Sequence, residues 1–288
     1  MTSRLELEQH RNAVSEIREI MNSMKTLAYM ETRKLTRFLD AQHSVVKSLE
    51  SMAADLLSFH SGLIPRSDDS QQISLLIGTE RGFCGAFNEN IMAALNLQQA
   101  SGDSGSLLIV VGHKLCNLLE EDPRVFAYLD GVSVAEEVEQ ILINIITKIS
   151  ALQKKHGHIE LSVYYHDVDS KQVVVKGLLP PFQEFSSISP LFSSPPLLNL
   201  SPQNFLTNLV DQYLFATLHE IIFTSLMAEN QQRVQHLEGA VQHLEEKSEQ
   251  LLRQSNALRQ EEIIEDIEVI LLGTANLDDG EQDPEVDS

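Results

Sequence analysis

No proline or glycine interrupts the chain from Met1 to about Phe59, so nothing stops a helix before "SGLIP" at 61–65. Ile17, Ile20, Met24 and Leu27 follow one another at steps of 3, 4 and 3. Leu35, Phe38, Gln42, Val45, Leu49, Met52, Leu56 and Phe59 resume that alternation after an extra step of four through Glu31. Such a step is the signature of a stutter that locally unwinds a coiled coil. The C-terminal part mirrors this: Val234, Leu237, Val241, Leu244, Ser248, Leu251, Ser255 and Leu258 alternate without a break. Each terminal helix would be roughly 80–110 Å long at the rise of an α-helix. Helices of that length do not fit on the surface of a globule of this size. They are expected to pack on each other and project from it, as a long antiparallel two-helix coiled coil made from residues 1–60 and 203–277.

The pattern changes in between. "ISLLIG" (73–78), "LLIVVG" (107–112), "RVFAYL" (124–129), "IELSVYYH" (159–166) and "QVVVKGLL" (172–179) are short β-rich runs bounded by turn residues. Residues 86–99, 113–121 and 133–156 read as helices between them. Alternating strands and helices imply a mostly parallel sheet with helices on its faces. The predicted fold is therefore a Rossmann-like α/β domain, residues 70–185, inserted into the coiled coil. A Ser/Pro-rich stretch, 186–202, leads back to the second long helix. The tail "DDGEQDPEVDS" (278–288) carries only acids among its charges and reads as disordered.

Charge restricts the function classes. The 288 residues hold 21 Lys+Arg against 42 Asp+Glu, a formal charge of -21. That field disfavours nucleic acid, whose phosphates nothing would neutralise, and suits a protein partner with a basic surface. The N-terminal segment is distinct: residues 1–47 carry eight Lys/Arg and six Asp/Glu. "MTSRLELEQHRN" lacks the apolar core of a signal peptide, and no apolar run approaches a membrane span. The expected setting is a bacterial cytoplasm, with membranes met only through partners. Cys84 and Cys116 form neither a disulfide framework nor a metal motif.

The most suggestive local motif is "TERGFCGAFN" (79–88), a glycine-rich turn between strand and helix where many proteins hold phosphate. It fails the specific tests. A P-loop needs Lys and Ser/Thr after its second glycine, whereas Ala86 and Phe87 follow Gly85. The dinucleotide fingerprint needs a glycine two before Gly82, and none is there. Gly82 and Gly85 are expected to keep the turn small, with Glu80 and Arg81 as candidates for contact with a neighbouring subunit. Cys84 reads as a small buried residue rather than an activated thiol. The ten histidines are scattered; His236 and His243 share a helix face two turns apart, too far for one metal ion. No catalytic group, cofactor site or metal site is predicted. Arg4, Arg11, Arg18 and Lys25 recur every seven residues as one cationic stripe. It is either a solvated heptad flank or a contact with acidic partner loops. The carboxylates from Glu245 to Glu268 read as a solvated face.

The two ends and the turn together resemble one family. "IREIMNSMKTLAYM" resembles the opening helix of gamma subunits of rotary F-type ATP synthases at Ile17, Arg18, Asn22, Lys25 and Met30. "ERGFCGAFN" is similar to that family's Asp-Arg-Gly-Leu-Cys-Gly-Gly-Phe-Asn turn at Arg81, Gly82, Cys84, Gly85, Phe87 and Asn88. "MAEN" and "LRQEEIIEDIEVILLGTANL" resemble its closing segment, with matches at Arg259, Gln260, Ile263, Glu268 and Gly273 to Leu277. The resemblance covers residues 1–277. It departs from the family at "ETRKLTRFL" after Met30, at Glu80 and Ala86, and in the acidity of the last helix and tail. These departures point to a divergent subtype, from a second ion-pumping complex rather than a housekeeping synthase.

The resemblance implies a non-catalytic central-stalk rotor subunit, peripheral on the cytoplasmic face of the bacterial inner membrane. Its shaft would turn inside a hexamer of alpha and beta subunits, and its α/β foot would rest on the c-subunit ring beside epsilon. Arg259 and Gln260, with Arg18 and Lys25 on the opposing helix, are the implied contacts with a beta subunit. Two other readings stay open on the residues alone: a coiled-coil adaptor with a protein-binding α/β domain, and a nucleotide enzyme built on the 79–88 turn.

Overall fold

The computed structural model describes residues 4–63, 70–100, 106–183, 195 and 197–278. Most of the Ser/Pro-rich connection and the acidic tail from residue 279 lie outside the described residues. The chain divides into two compact bodies, Lys25–His236 and Met1–Met24 with Leu237–Ser288.

Helix α1 (Arg4–Phe59) opens the chain and α5 (Pro202–Asp278) closes it. Ser201 and Pro202 start α5 as its sequence dictates. The serine Oγ accepts from the Asn204 N–H at 3.4 Å, and proline at the first helical position gives up no needed donor. Between the two helices the larger body holds β1 (Gln71–Ile77), α2 (Phe87–Ala100), β2 (Leu107–Val111), α3 (His113–Leu118), β3 (Val125–Leu129), α4 (Val138–His156), β4 (Ile159–His166) and β5 (Val173–Leu179). The sheet order is β3-β2-β1-β4-β5. β1 pairs in parallel with β2 and with β4, and β2 with β3; only β5 runs antiparallel, against β4. Residues 167–172 explain that exception, because so short a connection closes a hairpin and not a crossover. The Asp167 N–H donates to Gln172 O at 3.0 Å across it.

Alternation along the strands sorts two cores. Leu75, Ile77, Ile109, Val111 and Val163 face α4 (Leu142, Ile145, Ile149) together with Leu35 of α1 and Leu218, Ile222 and Leu226 of α5. Leu76, Leu108, Val110 and Tyr164 face the other way, against Phe87, Ile91 and Leu95 of α2 and Leu115 of α3. Each such buried side chain contributes about 1.5–3 kcal/mol. Helix α4 stops where Gly157 takes φ 80°, after a last turn of Lys154, Lys155 and His156 that suits the negative helix end. α3 is shorter than the predicted 113–121, ending at Leu118, and a 3-10 turn at Ala135–Glu137 occupies the start of the predicted 133–156 helix.

The terminal helices pair antiparallel within each body. In the larger one Val46, Ala53 and Leu57 pack with Leu209, Tyr213 and Ala216. Phe38 stacks on Phe223 at 5.9 Å, whereas the later Glu50 meets the earlier Tyr213. In the smaller one Leu7, Val14 and Leu251 form the core; Arg4 reaches Glu262 at 3.5 Å and Arg18 reaches Glu245 at 4.0 Å.

The α5 seam lies where the sequence predicts, with Leu237, Val241, Leu251 and Ser255 buried. The α1 seam does so only in part, with Leu35 and Leu56 buried as predicted. Ile17, Ile20, Leu27, Phe38, Val45 and Met52 are exposed, and the buried line passes instead through Ala28, Val46 and Ala53, one residue further on, in register with Leu7, Val14 and Leu35. On this line Arg4, Arg11, Arg18 and Lys25 are half-buried and fall midway between successive heptad positions. The steps alternate 4 and 3 without a stutter. Arginine stems pack along the partner helix while their heads reach its carboxylates, so the cationic stripe is neither a solvated flank nor wholly free for a partner. These half-exposed pairs contribute under about 1 kcal/mol each and set register more than stability. Val14→Asp is expected to cost about 2 kcal/mol of local stability, because it places an unpaired charge in the seam. Ile17→Asp should stay within about 0.5 kcal/mol. Amide hydrogen exchange in the first turns of α1 separates the two, and equal losses would overturn this register.

Candidate functional site

The strand order reverses direction at β1, so the crevice in which such sheets bind ligands lies at the C-terminal ends of β1 and β4. The 79–88 turn sits there, and its own chain fills it. Asn88 accepts from the Thr79 N–H at 3.0 Å through Oδ1 and donates to the Thr79 hydroxyl at 2.9 Å. From β4, buried His166 donates from Nε2 to Phe87 O at 2.9 Å and lies on the Phe87 ring at 3.8 Å. Burial holds this imidazole below its ordinary pKa, in the neutral form.

The turn's polar groups are then taken by α5. Glu229, Asn230 and Arg233 are 3%, 2% and 5% exposed. Arg233 donates from Nε to Gly82 O at 3.2 Å, from Nη2 to Arg81 O at 3.4 Å and from Nη1 to Asn230 Oδ1 at 2.9 Å, and it pairs with the Glu229 carboxylate. The backbone N–H groups of Glu80 and Arg81 draw the pKa of that carboxylate down. A phosphate cradle would aim N–H groups at an incoming anion. Here the carbonyls of Arg81 and Gly82 are aimed at α5 and hold a guanidinium. Burial pushes Glu229 from 4.5 up to about 7, against the pull of Arg233 and the two N–H groups.

That shift sets a pH dependence. A carboxyl whose folded pKa is raised stabilises the fold most below its unfolded value and loses that contribution as pH rises through the folded one. Relative to Glu229→Gln, the wild type should lose up to about 3 kcal/mol of stability between pH 4.5 and pH 7. Urea denaturation of both at several pH values measures it; parallel profiles would show that Glu229 does not titrate there.

The predicted turn residues divide by role. The Glu80 carboxylate accepts from the His113 N–H at 2.9 Å and the Gly131 N–H at 2.6 Å, so it anchors its own chain. The Arg81 side chain is exposed while its backbone serves α5. Gly82 and Gly85 do not keep the turn small: a Cβ on Gly82 meets only Lys114 Cε at 4.0 Å, and one on Gly85 meets nothing within 4 Å. Gly85 is needed for its φ of 59°. Cys84 is buried, and burial first, then the Glu229 charge, pushes its thiol up to about 12, which fits a packing role. No group of three metal-ligating side chains occurs among the described residues. Arg259 and Gln260 are exposed on α5, while Arg18 and Lys25 are half-buried. Sequence reading singled out Glu229 only as part of "MAEN" and passed over Arg233. The signal available was an acid and a base four apart in a helical stretch, just after the apolar run Leu226–Ala228.

Comparison with known proteins accounts for this layout. A family model described as ATP synthase matches residues 3–277. The chain belongs to the ATP synthase family, in its gamma, central-stalk branch. An ATP synthase gamma chain of Clostridium botulinum (strain 657 / Type Ba4) is 24% identical over 269 residues, covering 91% of this chain and 93% of that one. The gamma chain of Caldanaerobacter subterraneus is 23% identical, covering 91% and 96%. Among solved structures, a chain of the Euglena gracilis mitochondrial ATP synthase, in its OSCP/F1/c-ring assembly, superposes with a TM-score of 0.65 at 14% identity, over 98% of this chain and 97% of that one. The agreement runs through both terminal helices and the inserted domain, so a free-standing coiled-coil adaptor is not favoured. No helix among the described residues is long and apolar enough to cross a membrane.

Proposed function

We propose that this chain is the non-catalytic rotor of an ion-translocating ATPase, turning within a hexamer of alpha and beta subunits on a c-subunit ring, with epsilon beside its α/β foot. The observation that carries this reading is the apolar stripe left outward on α1: Ile17, Ile20, Leu27 and Met30 are 45–66% exposed, although the seam beside them is half polar. A helix that pairs through arginines and turns its isoleucines outward suits a shaft enclosed by protein. A free coiled coil would bury them. The guanidinium seated on the turn's carbonyls supports a chain that binds no nucleotide itself. Its setting is the cytoplasmic face of the bacterial inner membrane, reached only through the ring. The decisive experiment is purification from the native membrane. The chain should travel with alpha and beta subunits and show no ATP turnover alone; robust hydrolysis by the isolated chain would sink the reading.

Arg259 and Gln260 are the proposed contacts with a beta subunit, since both face outward and a guanidinium fork suits acidic loops. Arg18 and Lys25 would contribute from the seam of the opposing helix. Arg259→Ala with Gln260→Ala should leave the fold intact and lower ion pumping per ATP hydrolysed in the assembled complex. A wild-type pumping ratio would exclude the pair.

A further inference from the structure

The Arg233 fork donates to the carbonyls of Arg81 and Gly82 and to Asn230, and it is held by the Glu229 carboxylate. The turn passes the connection on. Through Glu80 it holds the start of α3 at His113 and the end of β3 at Gly131; through Thr79 and Asn88 it holds the start of α2. One turn of α5 is thus bonded to three of the loops at the C-terminal edge of the sheet. A further contact of α5 with this edge is apolar, Ala228 in the cluster of Leu76 and Cys84.

Apolar contact resists separation but is non-directional and lets a helix turn about its own axis. Fixed hydrogen bonds from a planar fork do not. We infer that Glu229 and Arg233 are positioning residues for rotation: they fix the azimuth of α5 against the sheet domain, so that the two turn as one piece. The inference rests on the rotor reading and names the residues within this chain that would carry its torque. Stability alone does not require ions here, because well-packed apolar residues of like volume often stabilise a buried site as well or better. The bonds add orientation.

The test exploits that difference. Glu229→Leu with Arg233→Met keeps volume and removes every directional bond. Reconstituted with its partner subunits in ion-tight vesicles, the double variant should assemble and hydrolyse ATP, and its thermal unfolding should stay close to wild type. Ions pumped per ATP should fall roughly five-fold. A wild-type pumping ratio with normal assembly would overturn the inference. Should the double variant not assemble, Arg233→Lys decides: it keeps the charge but loses the fork. A reduced ratio supports the lock, and an unchanged ratio overturns it. Failure of the rotor reading shows separately, as wild-type chain that does not copurify with alpha and beta subunits.

Discussion

Arg233→Met alone is expected to cost about 3–5 kcal/mol of stability at pH 8, the usual penalty for removing one partner of a buried ion pair. The methionine fills most of the volume, so the loss is not a cavity. It comes from what is left behind: a Glu229 carboxylate only 3% exposed, and the carbonyls of Arg81 and Gly82 without their donor. Glu229 has a partial escape. Burial already raises it to about 7, and without the guanidinium it rises further and takes up a proton. The deficit should therefore be smaller at pH 6 than at pH 8, where wild-type Glu229 is ionised and paired. Denaturant unfolding of the purified chain at both pH values measures this. A loss below about 1 kcal/mol at pH 8 would mean that the pair is open to water.

The same pair shows where sequence reasoning reached and where it stopped. The strands were legible because apolar runs such as "LLIVV", buried on both faces, read alike whichever side is scored. The long helices were legible because nothing broke them. At Ile17, Leu27, Val45 and Met52 the true α1 seam lies one residue further on, because the predicted line maximises apolarity, while Leu35 and Leu56 lie on both. Ile17 and Leu27 outscore Arg18 and Ala28 on any hydropathy scale, yet the second pair lies on the seam and the first faces out. Which stripe a helix buries depends on its partner, and an acidic α5 selects the arginine-bearing stripe through Glu245 and Glu262. Glu31 and Lys34, in the stretch after Met30, follow the same logic. Glu31 accepts from the Ala135 N–H at 2.7 Å and Lys34 pairs with Glu136, so both are spent on the chain's own α/β domain. The 79–88 turn lacks the motif residues of a phosphate site. What does occupy it, the Arg233 fork on the carbonyls of Arg81 and Gly82, needed α5 to be brought beside it.

The junction that makes this approach possible is expected to fail on one added methyl group. Gly112, between β2 and α3, has φ 103°, and a Cβ there would lie 2.6 Å from Gly78 O, 2.7 Å from Gly78 C and 2.8 Å from Thr79 O. These are backbone atoms, and they are held. The Gly78 N–H donates to Val111 O at 2.9 Å, the Lys114 N–H to Thr79 O at 3.0 Å, and Thr79 is bonded to Asn88 at both its N–H and its hydroxyl. Gly112→Ala therefore combines left-handed strain of about 1–3 kcal/mol with overpacking of about 1–3 kcal/mol, a loss of about 3–5 kcal/mol. Two neighbours serve as controls. Gly82→Ala meets nothing closer than 4.0 Å and should change stability by under about 0.5 kcal/mol, whereas Gly85→Ala carries only its φ strain, about 1 kcal/mol. Denaturant unfolding of the three variants gives the order, and Gly112→Ala within about 1 kcal/mol of wild type would mean that the edge of β1 yields. Because Gly131 also approaches Gly112, with its Cβ position 2.9 Å from Gly112 Cα and 3.0 Å from Glu80 Oε2, a shift here displaces the Glu80 anchor. Gly112→Ala should then loosen the Glu80 anchor, and with it the hold of the turn on Arg233, seen as faster hydrogen exchange at the His113 and Gly131 amides.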